Sequence, residues 1–470
     1  MNRRTFLASA AAAAAAGLTP ANAQSERPNI LLIMADDLGY GHLGCYGQEI
    51  IQTPNLDQLA RDGMRFTQAY AGCALCAPSR SALMTGTHTG HTSVRGNTGG
   101  VSLQEGDVTF AQLLQGAGYR TGLFGKWGLG DADTAGVPNK KGFDEFFGYL
   151  HQKHAHFSYT DYLWHNDERF ALPGNQGNKR EQYTHDVITE RAKAFIQENR
   201  QAPFFCFLSY TIPHHEWTAP AEALKQYSGK FEETPPEFRW REGYAHPEEP
   251  KATLAAMISY MDKTIGDVLK QLDELGLREN TLVLFTSDNG ADSYSIPSPE
   301  FFKANGTLRG YKGDLYEGGI RVPAIVRWPA RVSPQSESNQ VWYFPDIFPT
   351  FADAAECADR IPEGIDGVSF YAAMTNPTAG VPIPYQPYLY WELWGEALPR
   401  AARKGDWKAV WPGKDRPVEL YNLAEDGSET TDVASKHPDV VADLKAFMER
   451  EHVNPPAQIE PEAHDGRQYR

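Results

Sequence analysis

Residues 29 to 37 read Asn29-Ile30-Leu31-Leu32-Ile33-Met34-Ala35-Asp36-Asp37. The unbroken apolar run predicts a strand over 29–34 that is buried on both faces. Two adjacent carboxylates follow it after Ala35. Three more segments repeat the pattern. Residues 282–286 lead into Ser287-Asp288-Asn289-Gly290, residues 204–210 lead shortly to Pro213-His214-His215, and residues 120–124 lead into Gly125-Lys126-Trp127. Helical spacing of apolar residues lies between them, as over 253–275. Strands alternating with helices imply an α/β fold with a mostly parallel sheet. Such sheets bind ligands beyond the carboxyl ends of their strands, and all four polar clusters stand at such ends.

The side chains in those clusters define a chemistry. Asp36, Asp37, Asp288 and Asn289 offer hard oxygen atoms, which suit Ca²⁺ or Mg²⁺ rather than Zn²⁺. Three carboxylates brought together repel one another unless a cation joins them. A thiolate is a soft ligand and a poor addition to such a set, so an oxygen at position 76 fits better than sulfur.

Cys76 opens the run Cys76-Ala77-Pro78-Ser79-Arg80-Ser81-Ala82-Leu83-Met84-Thr85-Gly86. Pro78 suits the first turn of a helix, where a missing N–H costs nothing. Cys76 then lies at the helix N-terminus, where free N–H groups favour negative charge. Arg80 returns to the same side one turn later. A nucleophile and a fixed cation share one anion site.

This run resembles the signature of the type I, formylglycine-dependent sulfatases, among them the arylsulfatases and bacterial carbohydrate sulfatases. Cys76, Pro78, Ser79, Arg80, Thr85 and Gly86 fall where that family has them, and Met84 replaces a usual Leu. The resemblance extends over nearly the whole mature chain. It implies an alkaline-phosphatase-like α/β fold and oxidation of Cys76 to formylglycine (3-oxoalanine), whose hydrated aldehyde attacks a sulfate ester. It implies metal ligation by Asp36, Asp37, Asp288, Asn289 and the modified Cys76. It assigns Arg80, Lys126 and Lys312, in Gly310-Tyr311-Lys312-Gly313, to the sulfate group, His214 to the leaving group and Asp288 to proton acceptance. Glu317-Gly318-Gly319-Ile320-Arg321-Val322-Pro323 is a further landmark. The chain departs from the pattern at one point. The family often has Lys-Trp-His-Leu-Gly, and here the run is Lys126-Trp127-Gly128-Leu129-Gly130. The missing histidine assists breakdown of the sulfated intermediate, and His154 and His156 are candidate stand-ins.

The rest of the sequence frames this site. A chain of 470 residues implies two or three domains. Its net charge of −16 argues against nucleic acid or a stable association with an anionic membrane, so an anionic substrate must meet a local basic pocket. Cys45, Cys73, Cys76, Cys206 and Cys357 are too few and too scattered for a disulfide framework. Asn2-Arg3-Arg4-Thr5-Phe6-Leu7, the Ala-rich run after it and Ala21-Asn22-Ala23 read as a twin-arginine leader over 1–23 with its cleavage site. A periplasmic or secreted protein is expected. That route carries folded proteins, so a formylglycine-generating enzyme would act before export. A catalytic domain is expected over 24–382 and a small α+β domain over 383–453. The latter has strands near 388–391, 407–411 and 418–423 and a helix over 438–449. Residues 454–470 are polar and read as a flexible tail. Residues 151–166 are rich in His, Tyr and Trp, as in bacterial carbohydrate sulfatases, and either stack on sugars or fill the core. The substrate class is a sulfated small molecule or oligosaccharide. Two alternatives stand beside it, a phosphonate or phosphate ester hydrolase of the same superfamily and a non-catalytic sulfoglycan-binding protein.

Overall fold

The computed structural model describes residues 27–97, 101–214, 216–233, 245, 247–293, 299–376 and 387–455. The leader lies outside these residues, as does the tail beyond residue 455. The strand Asn29–Asp36 is buried along its whole length at the middle of a ten-stranded sheet. Its neighbours on either side are Thr281–Ser287 and Phe204–Pro213, both parallel to it. Arg120–Lys126 and Glu145–Tyr149 continue the parallel block. Short strands complete the two edges: Ala324–Arg327, Met64–Phe66 and Ser336–Ser338 on one side, the hairpin Tyr162–His165/Glu168–Ala171 on the other.

Strand periodicity divides the core. Leu31, Ile33 and Ala35 join one apolar cluster with the helices Pro54–Arg61, Thr184–Glu198 and Pro250–Glu274. Ile30, Leu32 and Met34 join a second with Cys76–Thr85, Phe110–Gly116 and Ile347–Ala354. Successive side chains point to opposite faces, so an unalternating apolar run serves both layers at once. The expected central strands are all present, and the structure lengthens them. Asp36 and Lys126 are therefore the last residues of their strands rather than residues beyond them.

Leu389–Glu392, Arg400–Lys404, Trp407–Trp411 and Glu419–Asn422 form a separate four-stranded antiparallel sheet. One face packs on the helix Pro438–Arg450 through Tyr390, Ala402 and Leu420 against Leu444 and Met448. The other face packs Trp391, Ala401 and Val410 against Tyr70, Cys73 and Ile320 of the main body. Beside that contact the fully buried Lys408 sits between two glutamates, with Nζ 2.9 Å from Glu317 and 2.8 Å from Glu429. Burial pushes the Glu317 carboxyl up, but Lys408, Arg321 and Arg403 outweigh it and hold the group at about 2. No helix among the described residues is long and apolar enough to cross a membrane.

Candidate active site

The carboxyl ends of the central strands converge as the sequence predicts. Consecutive residues of a regular strand point to opposite faces, so Asp36 and Asp37 could not share a site without a break. The break is at Asp37, whose φ of +66° lies in the left-handed region that Asp tolerates better than most residues. Both carboxylates then face Cys76. Its Sγ lies 3.4 Å from Asp36 Oδ1 and 3.8 Å from Asp37 Oδ1. Cys76 is the first residue of the helix Cys76–Thr85 and is fully buried.

Three carboxylates face three cations; each cation has its own nearest carboxylate, and Arg80 also reaches Asp36 at 3.6 Å. Lys126 Nζ is 2.6 Å from Asp36, Arg80 is 2.8 Å from Asp288, and Lys312 Nζ is 2.7 Å from Asp37. Asp288 also accepts from the Asp37 backbone N–H at 3.1 Å, which ties the two strand ends together. His214 Nε2 stands 3.6 Å from Asp37, and its ring centroid lies 4.5 Å from that of His156. Every sequence-predicted site residue is thus brought to one centre: Asp36, Asp37, Cys76, Arg80, Lys126, His214, Asp288, Asn289 and Lys312.

The electrostatics favour a cation in this centre and disfavour thiol chemistry. Burial pushes the Asp36 carboxyl up, but Lys126, Arg80 and Lys312 hold it well below the usual carboxylate range. Burial pushes Asp37 up to about 7, with Asp36, Asp292 and Asp288 adding to it against Lys312. Asp288 is raised by burial and by Asp36. The Oδ1 atom of Asn289 is buried and has no hydrogen-bond partner among the described residues. An unmet oxygen beside carboxylates under mutual repulsion is what a hard divalent cation would satisfy. The Cys76 thiol is driven well above its ordinary range by burial and by Asp288 and Asp36, so it stays neutral. A neutral buried thiol is neither a good nucleophile nor a good ligand.

The structure adds Ser209 and Gln152, which the sequence did not point to, and gives the signature residue Ser79 a partner. Ser209, in the strand Phe204–Pro213, accepts from Arg80 at 2.6 Å and donates to the Lys126 carbonyl at 2.7 Å, tying the Arg80 guanidinium to the backbone that carries Lys126. Ser79 donates to the Asp288 carbonyl at 2.5 Å. Gln152, buried just beyond the strand Glu145–Tyr149, lies over Gly128. No local pattern marks Ser209 or Gln152, because each acts across neighbouring strands. Of the two candidate stand-in histidines, His156 lies beside His214, whereas His154 is fully buried and burial pushes its imidazole down to about 3.

The family model described as Sulfatase matches residues 28–357, and the model described as N-sulphoglucosamine sulphohydrolase, C-terminal, matches residues 311–454. The chain is 30% identical to N-acetylgalactosamine-6-O-sulfatase of Bacteroides thetaiotaomicron, with 90% of this chain and 93% of that protein covered. It is 33% identical to N-acetylgalactosamine-6-sulfatase of Canis lupus familiaris, with 84% and 73% covered. The crystal structure of Ps i-CgsB superposes with a TM-score of 0.77 at 28% identity, covering 92% of this chain and 94% of that one. The phosphonate monoester hydrolase of Agrobacterium radiobacter, at 20% identity and a TM-score of 0.67, shares the fold.

Proposed function

We infer that this chain, which belongs to the sulfatase family and hydrolyses sulfate esters, does so through an oxidised Cys76 and on a sulfated saccharide. The observation that carries this reading is the placement of Cys76. Its side-chain atom sits between Asp36 and Asp37 at 3.4 and 3.8 Å, at a helix N-terminus and within a ring of three cations. As a thiol it is inert there. As the hydrated aldehyde of formylglycine it supplies an oxygen nucleophile in the same place.

Asp36, Asp37, Asp288 and Asn289 are the residues that would hold a calcium ion, which when bound offsets their charge and leaves the pocket with a positive surplus for an anionic ester. The protein's own groups do the rest. Asp288 accepts the proton of the attacking hydroxyl. Arg80, Lys126 and Lys312 neutralise the transferring sulfuryl group. Ser209 ties the Arg80 guanidinium to the backbone that carries Lys126. His214, seated on the rim of the same centre, donates a proton to the leaving alcohol.

Two relatives bear names that place the sulfate on N-acetylgalactosamine, and Ps i-CgsB was solved with k-i-k-neocarrahexaose. A sulfated saccharide is therefore the substrate class we assign. Export by the twin-arginine route follows from Asn2-Arg3-Arg4-Thr5-Phe6-Leu7, with the mature chain starting at Gln24. Co-expression with a formylglycine-generating enzyme, followed by mass analysis of the Cys76 peptide and a sulfate-release assay, tests the reading. Formylglycine with release of sulfate is the expected result. Full activity from Cys76→Ala would overturn it.

A further inference from the structure

Beside the catalytic centre lies a groove of about 490 Å³. It is lined by the loop over residues 132–140, by the tip of the hairpin Tyr162–His165/Glu168–Ala171 and by Leu150. Its size is in the range of ordinary small-ligand sites. We propose that this groove binds an unsulfated sugar unit adjoining the one that carries the sulfate. The proposal rests on the saccharide reading above and specifies what that substrate must contain.

Continuity with the catalytic centre comes first. The Leu150 carbonyl accepts from the Gly128 backbone N–H at 3.0 Å, and the Tyr149 carbonyl accepts from Trp127 N–H at 2.9 Å. Lys126, one residue before Trp127, is the lysine that grips Asp36. Successive Cα atoms are about 3.8 Å apart, so Gly128 lies within about 8 Å of Lys126, and the Leu150 carbonyl is one hydrogen bond beyond it. The groove and the sulfate-holding cation stand on the same two strand ends.

The lining chemistry then selects the ligand. Trp164 is half-buried in the groove wall, with the Arg169 guanidinium 5.6 Å from its ring centroid, and the other side of an indole is a flat apolar face of the kind that sugar rings stack on. Asp133 and Asp167 are exposed carboxylates that accept hydrogen bonds from hydroxyl groups, and Asn166 adds an amide. Lys140 is the one basic residue in the lining, and its Nζ bonds the Thr134 carbonyl at 3.1 Å. Two carboxylates against one ammonium repel a second sulfate. The catalytic centre has the opposite character, with Arg80, Lys126 and Lys312 for an anion. A ligand spanning both therefore bears its sulfate at one end and a neutral, hydroxyl-rich ring at the other. The wall is rigid where it matters, because Asn166 accepts from Phe146 N–H at 2.9 Å and from Asn139 at 3.0 Å.

The test compares saccharides carrying one sulfated unit, as monosaccharide and as trisaccharide with two unsulfated units, built on galactose, N-acetylgalactosamine and glucosamine. The aryl ester 4-nitrophenyl sulfate serves as a substrate that leaves the groove empty. For the best saccharide, the trisaccharide KM should be lower than the monosaccharide KM by about tenfold or more, the gain of one good contact. Trp164→Ala and Asp167→Ala should erase that gap, and Trp164→Phe should keep it. The groove assignment is overturned if extension gains nothing, or if the gap survives both alanine variants. Cleavage of 4-nitrophenyl sulfate with no saccharide cleaved would remove the saccharide reading and the groove with it, while loss of both would remove the catalytic reading.

Discussion

The carboxamide nitrogen of Gln152 lies 2.5 Å from where a β-carbon on Gly128 would stand, and the carboxamide carbon lies 2.9 Å from it. The space that a side chain at position 128 would enter is already filled from the neighbouring strand end. Gly128 also has a φ of +76°, a conformation that L side chains avoid.

Restoring the family histidine by Gly128→His should therefore fail. Left-handed backbone costs a non-glycine residue about 1–2 kcal/mol, and the Gln152 carboxamide must also swing aside. Thermal denaturation should show a lower Tm, and activity should fall rather than rise. Gly128→His combined with Gln152→Gly removes the clash, and its Tm should recover part of the loss. A burst of leaving alcohol in the parent, abolished in the double variant, would show that the imidazole speeds release of sulfate.

Asp37→Ala and Asp288→Ala should lose bound metal and activity together. Each removes a ligand oxygen, and each also frees a cation, Lys312 or Arg80 respectively. Elemental analysis of the parent should give calcium or magnesium near one per chain. Stoichiometric zinc without either would contradict the oxygen-rich ligand set.

Ser209→Ala keeps the volume of the pocket nearly unchanged and removes the hydroxyl that bonds both Arg80 and the Lys126 carbonyl. A loss of transition-state stabilisation is expected, because the Arg80 nitrogen that bonded Ser209 keeps only the Lys126 carbonyl, at 3.0 Å, to fix its position. It should appear in kcat/KM with little change in Tm. Equal losses in stability and activity would mean that Ser209 holds the fold rather than the cations.

Lys408→Met should destabilise the chain by about 3–5 kcal/mol, because it leaves Glu317 and Glu429 buried without their shared cation. The acid limb of stability should move with it. With Lys408 present, Glu317 is held near 2, below its ordinary value of 4.5. Its contribution is therefore complete above about pH 4.5 and lost as pH falls through about 2. Without Lys408 the folded-state value rises and that contribution shrinks, so the variant starts from a lower denaturation midpoint at pH 7 and should lose less of it than the parent between pH 7 and 3.

The parallel block was legible because its strands are buried on both faces, and such burial writes itself as runs like Ile30–Met34 that no helix period explains. Asp36, Asp37, Asp288 and Asn289 were legible because their places at strand ends follow from those runs. The edge strands Met64–Phe66, Ala324–Arg327 and Ser336–Ser338 were not, since three or four residues carry too little periodicity to stand out from loops. Ser209 sits inside an apolar strand where a serine reads as filler, and its meaning lies in Arg80, 129 residues away in sequence. Gln152 filling the space over Gly128 is likewise a fact about two adjacent strand ends, which no single segment records.

The segment that carries Lys312 is fastened from outside the catalytic layer. Arg309 donates to Tyr421 at 2.8 Å and to the Glu429 carbonyl at 2.9 Å, Tyr316 donates to Glu419 at 2.7 Å, and the Glu317 backbone N–H donates to Glu429 at 2.6 Å. On its inner side Gly313 N–H reaches the Ala74 carbonyl and Lys312 N–H the Ala291 carbonyl, both at 2.9 Å. The small antiparallel sheet thus acts as a buttress for the Lys312 ammonium, the group to which we assign a hold on the sulfate. Loosening that sheet and misplacing the ammonium are one cooperative event. A change far out on the small sheet that loosens it is therefore expected to cost turnover as well.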